Sequence, residues 1–61
     1  MQTFDAVGIA EGWIAPESED QIYEAWQQLI DTGLCWQLQG WFGRTATALI
    51  EYGICHPAGG A

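Results

Sequence analysis

Three times along this chain a helix-compatible stretch ends in glycine followed by a large apolar residue: Glu11-Gly12-Trp13, Thr32-Gly33-Leu34 and Tyr52-Gly53-Ile54. Glycine enters the left-handed conformation that closes helices without a Cβ penalty. An apolar residue just beyond it can pack back on the last turn, as in a Schellman ending. Three such stops divide the chain into three helical segments.

In the first segment Thr3 can cap a helix over residues 4–11, with Asp5 in the first turn where the helix dipole favours an anion. Phe4 and Val7 share a face that Ile9 and Ala10 extend. Gly8 weakens this helix, and a strand or irregular arm is the competing reading. The second segment carries the clearest signals. Ser18 and Gln21 have capping-box spacing after Pro16, and Ile22, Trp26, Leu29 and Ile30 form one apolar stripe. The third segment is expected between about Cys35 and Tyr52, on a stripe of Leu38, Phe42, Thr45, Ala46 and Leu49 with Ile50 beside it. Gly40 and Gly43 interrupt it, each costing about 1 kcal/mol against Ala. Either the helix breaks near Gly40, or the small residues Gly43, Ala46 and Thr47 admit another helix closely. With almost no linker between them, the second and third helices should form an αα-hairpin crossed by the first helix or arm. The expected fold is a small all-α, three-helix domain over residues 1–56, followed by a flexible tail at 57–61.

A chain of 61 residues holds one domain at most. At that size only about 60% of the unfolded surface is buried on folding. Yet 49% of the residues are apolar and four are Trp, more than one small core can hide, so self-association is expected. The net charge is −7, from eight carboxylates against a single cation, Arg44. Phosphate binding draws on Lys and Arg, which argues against direct nucleic-acid binding and against docking on anionic lipid. No apolar run reaches the roughly 18 residues of a membrane span, and Met1 is not followed by a secretory signal. A cytoplasmic setting is expected. It also suits two free thiols. A continuous third helix would hold Cys35 and Cys55 roughly 30 Å apart, far beyond disulfide reach.

The segment from Trp36 to Arg44 is the richest in binding chemistry, because Trp and Arg are enriched at interface hot spots. In a helix Leu38 and Phe42 would face the core, and Trp36 and Trp41 cannot both join them. The expected interface residues are Trp13, Trp36, Trp41, Phe42 and Arg44; the bland alternative is that both rings, Trp36 and Trp41, cap the core. Arg44 either meets a partner's carboxylate or aromatic face, or pairs internally with Glu24, Asp31 or Glu51. Glu17, Glu19, Asp20 and Glu24 admit a nucleic-acid mimic, or simply a solvated helix start. Cys35, Cys55 and His56 fall short of the four ligands of a structural zinc site. No metal, cofactor or catalytic constellation is expected, and the chain is not read as an enzyme.

The runs Ala10-Glu11-Gly12-Trp13-Ile14, Glu24-Ala25-Trp26-Gln27 and Leu29-Ile30-Asp31-Thr32-Gly33-Leu34 lead to the distinctive Trp36-Gln37-Leu38-Gln39-Gly40-Trp41-Phe42-Gly43-Arg44, followed by Leu49-Ile50-Glu51. Together they resemble a family of short bacteriophage proteins of unknown function. The likeness covers roughly residues 10–55. It implies a viral origin and a host-cytoplasmic setting, and supplies no activity. The expected role is that of a small accessory protein that binds a host or phage protein, or further copies of itself.

Overall fold

All three glycines lie in the left-handed region, with φ of 90° at Gly12, 77° at Gly33 and 76° at Gly53. The computed structural model describes residues 1–59. It contains three α-helices, α1 (Thr3–Glu11), α2 (Glu19–Asp31) and α3 (Gly40–Glu51), with a 3₁₀ turn at Leu34–Trp36 between the last two. The described residues contain no strand. This is the expected all-α, three-helix architecture. Gly60 and Ala61, the end of the expected tail 57–61, lie outside the described residues.

Two of the helix ends are complete Schellman motifs. At α1, Trp13 N–H donates to the Gly8 carbonyl (3.0 Å) and Gly12 N–H to Ile9 (3.2 Å). At α3, Ile54 N–H donates to Leu49 (2.9 Å) and Gly53 N–H to Ile50 (3.0 Å). The α2 end keeps only the inner bond, from Gly33 N–H to Ile30 (3.0 Å). The outer donor, Leu34 N–H, turns to the Thr32 hydroxyl instead, at 3.5 Å. The 3₁₀ turn follows directly, from Leu34 to Trp36.

The helix starts differ in quality. Ser18 Oγ accepts from Gln21 N–H at 3.3 Å. Gln21 Oε1 in turn accepts from Glu17 N–H at 2.6 Å, one residue earlier than an ideal capping box. α1 starts one residue before the expected position. Its N-cap is Gln2, which makes no side-chain cap bond, and Thr3 is already helical.

The third helix does not run from Cys35. The 3₁₀ turn at Leu34–Trp36 and an extended Gln39 separate it from α2, and α3 begins at Gly40. The glycine interruption thus resolves as a break, and the connection between α2 and α3 is eight residues long (32–39) rather than almost absent. The distance argument that kept Cys35 and Cys55 apart loses its continuous helix. Both thiols are nevertheless free and buried.

Side-chain size explains the spacing of the helices. α1 and α2 pack extensively against each other, and each buries a small side chain completely, Ala6 and Ala25. Bulky rings hold α3 farther off. Trp26 of α2 meets Phe42 at 5.8 Å and Trp41 at 6.1 Å between ring centroids. Leu29, Ile30, Cys35, Ala46 and Cys55 complete the core around them. The radius of gyration is 10.4 Å, close to the ~10.5 Å of a well-packed chain of this length. Rings left outside are therefore not a symptom of loose packing.

Candidate functional site

Filling this core uses two of the four indoles. Trp26 is 4% exposed, and Trp41 is partly buried against it. Trp13 and Trp36 remain 53% and 50% exposed, and Phe4 is 65% exposed. Large exposed apolar side chains lie on α1 and the turn after it (Met1, Phe4, Trp13), at the turn before α3 (Trp36) and just after α3 (Tyr52, Ile54); the first two places hold the exposed indoles.

The first place is built by the Schellman turn of α1. Reversal at Gly12 carries Trp13 back over Phe4, and the two rings meet edge to face with centroids 5.0 Å apart. Trp13 Nε1 donates to Glu11 Oε2 at 2.6 Å, so the indole is held from both sides. Ile14 continues the reversal and lies directly on Gly8. A Cβ at Gly8 would stand 2.6 Å from Ile14 Cγ1 and 3.3 Å from its Cβ. Gly8 is thus a site of close approach rather than a simple weakness of the helix. Beyond Ile14 opens a cleft of about 470 Å³ between α1 and the start of α2, lined by Met1, Ile9, Ile14, Asp5, Glu17 and Glu24 among others.

The second place lies where the 3₁₀ turn meets α3. The Trp36 ring lies along Gly43, 3.5 Å from where a Cβ would stand. Gly43 therefore seats an indole rather than another helix. On the neighbouring side of α3, Arg44 folds back so that Nη1 is 3.1 Å from the Cβ position of Gly40. Arg44 is exposed, and among the described residues it forms no ion pair with Glu24, Asp31 or Glu51. Trp36 and Arg44 thus lie against two glycines three residues apart in α3.

Of the expected interface residues, Trp13, Trp36 and Arg44 are presented to solvent and Trp41 only in part. Phe42 is a correction. It is 1% exposed and packs on the Trp26 ring, on the core-facing stripe that its helical spacing marks. Phe4 is the reverse case: expected on the apolar face of its helix, it projects outward as the partner of Trp13.

The thiols offer no reactive centre. Burial pushes both Cys35 and Cys55 above the ordinary thiol value, with a smaller push on Cys55 from the charge of Asp31. A protonated thiol is a poor nucleophile. Tyr23 is also raised, first by its hydrogen bond to Glu19 (2.6 Å). No group of three or more metal-binding side chains assembles among the described residues. No helix among them is long and apolar enough to cross a membrane.

Residues 17–61 match the model of a protein family described as a domain of unknown function (DUF7417). The match takes in α2, the 3₁₀ turn, α3 and the Trp36–Arg44 surface; α1 and the Phe4–Trp13 pair precede it. No curated protein matches, and no solved structure does.

Proposed function

This chain belongs to the DUF7417 family of domains of unknown function, and we propose that it acts by binding another protein through its exposed indoles. The carrying observation is that Trp13 and Trp36 stay half exposed although the core is closed. Large rings left in water are unfavourable by about 25 cal/mol per Å² of apolar area that a partner could cover. Trp is also the residue type most enriched where partner binding energy concentrates. Arg44 beside Trp36 adds a free cation able to meet a partner's carboxylate.

The resemblance to short bacteriophage proteins supports an accessory role in a host cytoplasm, where such a protein would inhibit or modulate its target. Capture from host lysate tests the reading. Wild-type chain and a Trp13→Ser, Trp36→Ser double variant, both shown to be folded by circular dichroism, are compared. Loss of the captured protein by the variant supports the proposal. Identical capture by both contradicts it. Sedimentation of the purified chain adds the second readout: if both indoles serve self-assembly, wild type alone sediments as an oligomer.

A further inference from the structure

We infer that the cleft between α1 and the start of α2 is a docking groove for a basic amphipathic segment of the partner protein. The inference rests on the protein-binding reading above and specifies the partner's chemistry at one surface.

Three features at and beside the groove point the same way. Its apolar lining comes from Met1, Ile9, Ala15 and Ile14, the last seated on Gly8. Its rim carries Asp5, Glu17 and Glu24, all exposed and none in an ion pair among the described residues. Outside the cleft lining but on the same helix, the exposed Phe4 ring meets Trp13 at 5.0 Å, and the indole N–H donates to Glu11. A cleft lined by both apolar and acidic side chains fits a segment whose apolar side chains enter while its Lys or Arg side chains reach the carboxylates. This is the charge-complementary form of helix-in-groove binding.

The same charges disfavour a second copy as the occupant. Each copy brings eight carboxylates and a single Arg. That Arg lies at the start of α3, on the face it shares with Gly40. A self-pair at this groove would set rim against like-charged surface, which is unfavourable.

The test uses the full chain and three synthetic helical peptides: one of Leu and Lys, one with the same Leu positions and Glu for Lys, and one with the same Lys positions and Ser for Leu. Binding is measured by calorimetry and mapped by amide chemical shifts. The Leu-Lys peptide should bind, and the shifts should centre on Asp5, Ile14 and the Trp13 indole. Asp5→Asn, Glu24→Gln should weaken binding at least tenfold. The equal charge change Asp31→Asn, Glu51→Gln, away from the groove, should weaken it less than twofold. Equal losses in the two variants, or equal binding of the Lys-Ser peptide, would reduce the effect to overall charge and overturn the inference. Binding of the Leu-Glu peptide at the same residues would overturn the basic-partner assignment while leaving protein binding standing. No binding by any peptide would remove the groove as a docking site. The broader reading then stands or falls on the capture experiment with the indole variants.

Discussion

The side-chain amide of Gln27 pairs in both directions with the backbone of His56. Oε1 accepts from His56 N–H at 2.8 Å, and Nε2 donates to the His56 carbonyl at 2.9 Å. The same Nε2 reaches Asp31 Oδ1 at 2.9 Å. Twenty-nine residues separate the pair, so this one amide ties the segment after α3 to the middle of α2. Its neighbour Cys55 is thereby held in the core, with Sγ 3.9 Å from the Tyr23 carbonyl.

Replacing Gln27 with Leu should therefore loosen the C-terminal segment rather than α2 itself. Each of the two bonds contributes about 0.5–1.5 kcal/mol. The bonds are exposed, so the expected loss is near 1 kcal/mol in total. In a domain of this size that lowers Tm by roughly 4–8 °C. Hydrogen exchange should rise at His56 and leave the α2 amides nearly unchanged.

Two helical glycines should respond to alanine with opposite signs. Ala in place of a helix-interior Gly is ordinarily favourable by about 1 kcal/mol. At Gly43 the new methyl would meet Trp36 at 3.5 Å, an ordinary contact, so Gly43→Ala should stabilise. At Gly8 the methyl would displace Ile14. Overpacking of this kind costs about 1–3 kcal/mol, so Gly8→Ala should destabilise. Urea titration of the two variants checks both signs.

Phe42 is the core side chain whose loss should be felt most. A Phe→Ala cavity costs about 3–5 kcal/mol, against a total stability of about 3–9 kcal/mol for a domain this small. Phe42→Ala should be largely unfolded by circular dichroism at 37 °C. A conservative Phe42→Leu should remain folded with reduced Tm.

The buried thiols predict a one-sided pH dependence. Burial raises both Cys35 and Cys55 above the ordinary 9.0, so between the unfolded and folded values the native state holds more protons. Stability then falls as pH rises. The contribution is fully present below about pH 9 and is lost as pH climbs through the folded values. Denaturation midpoints should stay flat with respect to these groups up to about pH 9 and drop above it. A thiol reagent at pH 7.5 should label neither cysteine rapidly until denaturant is added.

Much of the fold was legible because it is written in local chemistry. Ser18 and Gln21 mark the start of α2, and Gly12, Gly33 and Gly53 mark the helix ends, each through contacts within a few residues. The apolar stripe from Ile22 to Ile30 likewise gave the core face of α2. The break before Gly40 was less legible, since Leu38 and Phe42 have helical spacing whether or not the helix is continuous. Spacing alone does not report that the chain after Gly33 takes a 3₁₀ turn over Leu34–Trp36 before α3 begins.

The candidate surface was half legible. Trp13, Trp36 and Arg44 stand out by type, and Trp13 also by following a glycine stop. The burial of Phe42 was legible in its stripe with Leu38 and Ala46; only its aromatic type and place beside Trp41 set it among the interface residues. Phe4 was missed because its ring is needed by Trp13, a pairing created only when the chain reverses at Gly12. The Gln27–His56 clasp had no local signal at all.

Oxidative footprinting of the four indoles, in purified dilute protein and again in host lysate, tests the central claim most directly. The account predicts strong labelling of Trp13 and Trp36 in isolation, weak labelling of Trp26 in both settings, and clear protection of Trp13 or Trp36 in lysate. Undiminished labelling of both exposed indoles in lysate would contradict it.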